Sequence, residues 1–302
     1  MERDIFQEIN KDIFQEIIVS LEEDVPVTLS MINLLKGFMD EDSTKETELK
    51  VFCPGGDQSC GVYVVMLTYL NKCKYKMIKM YSREDTMSIL EESLITTRRL
   101  DWSNADIFIE GLYYKMLPVL ETVFLAKNVS SINKQKYIFM SLPSEAHDMV
   151  RKEVIIPEGF VIRSLTSEDA ELIDNTWAYH SDITYDYIHH SIVHFGGLGL
   201  AHKHNNHLVS WAVGVWNTIG IVHTLADYRH RSYAQLVIRA LAKQLIRKNV
   251  QPICLIKFAN TPSLQLFKKL GFNEVGLYYC TELSRLPEVV KTETTSVTEN
   301  LG

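Results

Sequence analysis

Thr224–Leu241 reads TLADYRHRSYAQLVIRAL. The run passes from a strand-like end through a tight loop carrying Arg229 and Arg231, then straight into an amphipathic helix expected from about Tyr233 to Lys248. A helix N-terminus has backbone N–H groups with no partner inside the helix. Two arginines beside it make a positive concavity of the kind that holds a diphosphate. An exposed basic strand-to-helix connection with no ligand is the other reading of the same residues.

Further along, Phe258–Phe272 reads FANTPSLQLFKKLGF. Leu264, Phe267 and Leu270 recur at helical spacing, Pro262 fits a first helical turn where its missing N–H costs nothing, and Gly271 stands where the helix must stop. Asn260 or Thr261 can serve as N-cap and Gly271 as C-cap. Structure alone accounts for that pattern.

The chain has 302 residues, a formal charge of −7 and 46% hydrophobic residues. That length carries a prior of about two domains with real cores. The acidic balance disfavours nucleic acid or an anionic membrane as partner. Cys53, Cys60, Cys73, Cys254 and Cys280 form an odd set without a C-x-x-C pair, which fits reduced, buried thiols better than a disulfide framework or a zinc site. No apolar run approaches the ~20 residues that span a bilayer. The opening MERDIFQEINKDIFQEI is too acidic for a signal or transit peptide. A soluble, intracellular, cytoplasmic protein is expected.

DIFQEI occurs at Asp4–Ile9 and again at Asp12–Ile17; a helix with an irregular apolar face is the plain reading, since one short duplication builds no solenoid. Strands are expected at 48–53, 61–70, 75–81 and 136–142, and helices at 86–97 and 103–126. This N-terminal half, 1–154, reads as an α+β domain without a catalytic constellation. After a charged stretch ending near residue 155, the second half alternates: strand 160–164, a helix capped by Thr166-Ser167-Glu168-Asp169, a helix near 183–189, strands around His204-Asn205-Asn206, strand 219–225, the long helix, strand 253–258, the capped helix and strand 274–282. The expected division is 1–154, 155–286 and a disordered tail 287–302 rich in Thr, Glu, Val and Asn.

In this order, the R-x-x-[small]-x-[small] loop (Arg229, Ser232, Ala234) followed by N-x-x-S-x-x-L-[FY]-x-x-x-GF (Asn260, Ser263, Phe267, Gly271, Phe272) resembles the GNAT acyltransferase superfamily over residues 156–284. Ser210-Trp211 and Thr224–Arg229 look most like the glycine N-acyltransferase-like branch, which also carries an N-terminal half of this length. The resemblance implies an α/β fold: a C-terminal GNAT domain with a central mixed sheet flanked by helices. It also implies acyl-CoA as co-substrate, with no permanently bound cofactor and no metal, and leaves a mitochondrial location open although no transit peptide is seen. Two neighbouring strands are expected to splay. The pantetheine arm then pairs with His223–Leu225, and the pyrophosphate lies on the N–H groups of Arg231 through Leu236. Thr224, Leu225, Arg229, His230, Arg231, Ser232, Tyr233 and Ala234 form that side of the expected site, and Asn260, Ser263 and Phe267 the other.

The residues depart from the family pattern in two ways. The usual loop glycine is Ser232, in a place that asks for backbone freedom. The usual base falls on Thr218, with Asn217 and Ile219 beside it, and none of these accepts a proton near neutral pH; the tyrosine acid of some relatives is Phe267. His223 is the remaining candidate base, Tyr278 (beside Tyr279) the candidate acid, and the backbone N–H of Leu225 the candidate oxyanion donor. Simple strand alternation places His223 on one face with Ile219, Ile221 and Leu225, where burial against the core competes with catalysis. His202, His204 and His207 straddle a polar turn and read as solvated rather than as metal ligands. The segment between Trp177 and His194 offers no recognisable polar code for the acceptor. The functional expectation is an acyl-CoA-dependent N-acyltransferase acting on glycine or another small amine; the alternative is a non-catalytic acyl-CoA-binding or regulatory module that has lost its base.

Overall fold

The computed structural model describes residues 3–40, 47–70, 76–102, 107–153, 155–178, 180 and 184–285; Cys73 and the 287–302 tail lie outside them. The first half runs β1 (Phe6–Ile9), α1 (Phe14–Glu22), α2 (Leu29–Asp40), β2 (Thr47–Pro54), β3 (Val62–Tyr69), β4 (Lys76–Ser82), α3 (Met87–Thr96), β5 (Ile107–Tyr113), α4 (Leu117–Lys127) and β6 (Val129–Ser141). After a linking α5 (His147–Arg151), the second half runs β7 (Phe160–Ser164), α6 (Ala170–Thr176), α7 (Thr184–Phe195), β8 (Gly197–His202), β9 (Leu208–Val215), β10 (Thr218–Thr224), α8 (Tyr233–Arg247), β11 (Ile253–Lys257), α9 (Thr261–Lys269) and β12 (Asn273–Arg285). Each half therefore has the order β-α-α-β-β-β-α-β-α-β. The N-terminal half, expected only as a generic α+β domain, is a second copy of the C-terminal arrangement.

The copies interlock. One sheet has the order β1-β2-β3-β4-β5-β12-β6-β11 and the other β10-β9-β8-β7. β12 from the second half lies between β5 and β6 of the first, while β6 carries β11 on its other side. The covalent boundary near residue 155 is thus not a boundary in the sheet.

The expected helix over 103–126 is corrected in part. Residues 107–113, IFIEGLY, form β5, because this β-branched and aromatic run pairs with both β4 and β12. The helix begins at Leu117, where Pro118 occupies its first turn; residues 103–106 lie outside the described set. The first DIFQEI copy is also corrected, from helix to the strand β1, paired with β2. α7 extends to Phe195, beyond the expected helix.

Packing follows amphipathicity. α1, α2, α6 and α7 share one apolar core with β2, β3 and β9. α3 and α4 cover the opposite face of the first-half strands. α8 and α9 pack with β9, β10 and β11 around Val237, Leu241 and Phe272. Among the described residues no helix is long and apolar enough to cross a membrane, and Cys53, Cys60, Cys254 and Cys280 are free thiols.

Candidate functional site

The site lies where the two sheets part. β10 ends one sheet and β11 ends the other, and no ladder joins them among the described residues. Their starting ends are tied together by Asn33 of α2, whose Nδ2 donates to the Asn217 carbonyl at 3.1 Å and to the Gln251 carbonyl at 2.9 Å. Both strands leave this pinned apex, so their far ends, Thr224 and Lys257, frame an open wedge. The Trp216-Asn217 turn that feeds β10 has both residues at positive φ, 50° and 57°, as a two-residue hairpin of the I′ kind requires.

The pairing of β10 with β9 slips between Gly220 and His223, which face Val213 and Trp211. Ile221 and Val222 together oppose the single residue Ala212, which makes a bulge. Ile221 sits at φ 45°, a strained position for a β-branched residue that costs about 1–3 kcal/mol. The bulge corrects the simple alternation. Ile219 packs with the α8 core, whereas Ile221 and Leu225 pack on the α6/α7 side. The extra residue also leaves the ladder locally unpaired.

At the mouth, His230 and Ser232 both lie in the left-handed region, at φ 63° and 62°. Ser232 thus adopts a conformation that glycine reaches more readily. Alternating φ signs around Arg231 turn successive N–H groups to one side, next to the N-terminus of α8. The Leu236 N–H bonds the Ser232 carbonyl at 3.3 Å, so the row of free donors is shorter than expected and ends before Leu236. Arg229 Nε donates to the Thr224 carbonyl at 3.1 Å, and Arg231 lies over the Tyr228 ring at 5.9 Å. Tyr233 is buried against Phe160 and offers its backbone only. Ala234 is half-buried behind it.

Across the wedge, the Asn260 side-chain oxygen accepts from the Ser263 N–H at 3.2 Å, capping α9; both ends of the capped helix are as read. Phe267 is buried in edge-to-face contact with Phe272, so it contributes packing.

The candidate catalytic groups fall differently. His223 stacks on Trp211 with ring centroids 5.0 Å apart; burial, and secondarily Arg229, hold its pKa below the ordinary histidine value, so it is neutral at pH 7. The Leu225 N–H already donates to the Val209 carbonyl at 3.0 Å and is not an oxyanion donor. The Tyr278 hydroxyl donates to the Val27 carbonyl at 2.9 Å, and burial pushes its pKa far up; it packs β12 onto the first half rather than serving as an acid. His202 Nε2 pairs with the Tyr228 hydroxyl at 2.9 Å.

Behind the bulge the wedge opens into a chamber of about 500 Å³, walled by Ile219–Ile221 of β10, Lys257 of β11, Trp177, and Asp186 and Tyr187 of α7. The first half closes it with Glu110 of β5, and β12 with Glu282. Asp186, Glu110 and Glu282 were invisible as site residues because three separate elements bring them together. The 177–194 segment, read as lacking a polar code, supplies Asp186.

Among the described residues the equivalent strands of the first half stay paired for longer. β4 and β5 pair in parallel from Lys76↔Ile107 to Ile78↔Ile109. Where they diverge, Lys79 and Glu110 stand in the gap at 3.4 Å, close enough to pair as ions but not aligned as a hydrogen bond. Two cavities beside this pair hold about 30 and 20 Å³, room for a water molecule at most.

A family model described as FR47-like protein matches residues 197–280, from β8 into β12. Among curated proteins, none matches the chain. A Drosophila protein solved by X-ray crystallography is similar with a TM-score of 0.79 at 15% identity, covering 93% of this chain and 99% of its own. A tandem GNAT protein from the clavulanic acid biosynthesis pathway gives a TM-score of 0.55 at 11% identity, with 93% and 98% covered. A GCN5-related N-acetyltransferase from Sphaerobacter thermophilus gives 0.51 at 13% identity, with 93% and 96% covered. The chain has the GNAT N-acetyltransferase fold, with the splayed strands, bulge and helix-terminal loop all in its second half.

Proposed function

We propose that this protein is an acyl-CoA-dependent N-acyltransferase whose reaction centre is the wedge between β10 and β11. The observation that carries the reading is the strained bulge at Ile221–Val222, placed between an open strand edge and a chamber of about 500 Å³. The thioester enters from the mouth. Its pantetheine lies along the free edge of β10, in the manner of an added strand. Its pyrophosphate lies on the N–H groups from Arg231 to Gln235, within reach of Arg229 and Arg231, and Asn260 and Ser263 hold the arm from the other side.

The amine approaches from the chamber and attacks the thioester carbonyl carbon. A C–N bond forms and the carbonyl oxygen becomes an oxyanion, which a backbone N–H of the bulge stabilises. His223, neutral at pH 7 and two residues beyond Ile221, takes the proton that the amine must lose, directly or through water. The C–S bond then breaks and CoA leaves as thiolate, to be protonated by solvent. The likeness of Ser210-Trp211 and Thr224–Arg229 to glycine N-acyltransferase-like proteins supports an amine acceptor. In the structure, Ser210 Oγ bonds the His223 carbonyl at 3.0 Å and shares a hydrogen bond with Thr224 Oγ1 at 2.8 Å, fixing the strand along which the pantetheine is placed.

Thiol release from acetyl-CoA and longer acyl-CoAs against an amine panel, beside calorimetric CoA binding, tests the reading. Binding with turnover supports it. Binding without turnover of any amine would favour the acyl-CoA-binding module instead, and no binding would remove both.

A further inference from the structure

The chamber behind the bulge has a chemistry of its own. Three carboxylates, Glu110, Asp186 and Glu282, line it, against Lys257 as the cation among the described lining residues, and no arginine reaches it. Lys79 stands behind Glu110 at 3.4 Å and balances that charge; Asp186, Glu282 and Lys257 line the same chamber. Glu282 is oriented by Asn133, whose Nδ2 donates to it at 2.8 Å. The Glu110 oxygen nearest Lys79, Oε2, is buried and accepts no hydrogen bond among the described residues. Part of the wall is aromatic: Trp177 stacks on Tyr187 at 6.3 Å, and Tyr187 meets Tyr69 at 6.4 Å.

An ammonium ion gains from both features, by attraction to the carboxylates and by contact with ring faces. A substrate carboxylate would be set among like charges, with Lys257 the one cation among the described lining residues. Volume argues the same way: about 500 Å³ lies in the range of pockets for drug-sized ligands, roughly 300–1,000 Å³, far beyond what glycine fills.

We propose that the chamber takes a primary amine that enters as a cation, carries an extended or aromatic body, and has no carboxylate. The proposal rests on the transferase reading for the amine's role as acceptor, but its binding selectivity is separable from turnover.

Matched pairs that differ only by a carboxylate test it on the full chain: phenethylamine with phenylalanine, and putrescine with ornithine. Calorimetry, with and without CoA, is expected to show each amine binding about tenfold or more tightly than its amino acid. Asp186→Asn is expected to bring that ratio close to one. Asn is well tolerated in the first turn of α7 and nearly isosteric; if that variant fails to fold, Glu282→Gln serves as the second test and should lower the same ratio. Equal or reversed preference in the wild type, or no binding of either amine at millimolar concentration, would overturn the proposal. Thiol release from acetyl-CoA in the same samples separates the two ideas. Selective amine binding without release retires the transferase reading and keeps the chamber's selectivity, whereas release with phenylalanine or ornithine alone retires the selectivity and keeps the transferase.

Discussion

Asn33 and Asn217, far apart in sequence and in different halves of the fold, exchange hydrogen bonds: Asn33 Nδ2 donates to the Asn217 carbonyl at 3.1 Å and Asn217 Nδ2 to the Asn33 carbonyl at 3.2 Å. With its further bond to Gln251, the fully buried Asn33 fastens the apex from which β10 and β11 diverge. The first half thereby sets the geometry of the cleft in the second.

Asn33→Leu should leave two half-buried carbonyls, those of Asn217 and Gln251, without this donor. A loss of about 1–3 kcal/mol per unsatisfied group is expected, read as a lowered denaturant midpoint, together with weaker CoA binding because the wedge loses its fixed angle. Unchanged stability and affinity would show that the apex is held by packing alone.

Ser232→Gly should preserve or tighten CoA binding. Serine at φ 62° carries left-handed strain of about 1–2 kcal/mol, and glycine removes it while gaining freedom in the unfolded chain, so the melting temperature should change little. A large loss of affinity in calorimetry would mean that the hydroxyl itself is a phosphate ligand.

Asn260→Asp separates the cap from the clamp. Aspartate keeps the acceptor that bonds the Ser263 N–H but lacks the amide donor proposed for pantetheine. Stability should hold, while CoA affinity falls by the equivalent of about 1 kcal/mol or more. Equal affinity in the two proteins would remove Asn260 from the binding site.

His223→Gln should lower turnover by about 10²-fold or more, the usual scale of a general base, with CoA affinity retained. The wild-type rate should fall on acidification below the ordinary histidine range, because the depressed pKa keeps His223 neutral at pH 7. Identical rates and pH profiles would assign His223 to its stack on Trp211 alone.

His190 is buried among Tyr69, Trp216 and His194, with neither ring nitrogen hydrogen-bonded. Burial, followed by repulsion from His194 and His189, depresses its pKa from 6.5 to about 3. The unfolded chain therefore binds the extra proton first, and stability should decline as pH falls from about 6.5 toward 3. His190→Phe should flatten that part of the stability profile; an acid limb identical to wild type would place the sensitivity elsewhere.

The local punctuation of this chain was legible. Thr166 and Asp169 form the capping box their spacing announces, with Asp169 also held by Arg163 at 2.8 Å. Asn260 caps α9, the loop with Arg229 and Arg231 meets α8, and the spacing of these parts carried the GNAT fold. Such features depend on neighbours within a turn or two, so their physics is contained in the sequence itself. The duplicated hexapeptide shows where that containment ends. In the first DIFQEI, Phe6 and Ile9 belong to a strand and enter opposite cores; in the second, Phe14 and Ile17 belong to a helix and enter the same core. Identical local propensity was decided by whether β2 offered a free edge. The repeated architecture, the passage of β12 into the first-half sheet, the occupied Leu225 N–H, the bulge that parts Ile219 from Ile221, and the meeting of Glu110, Asp186 and Glu282 all depend on pairings between distant segments. Those contacts carry no local signature, because the free energy that fixes them is gained only when the two halves pack together.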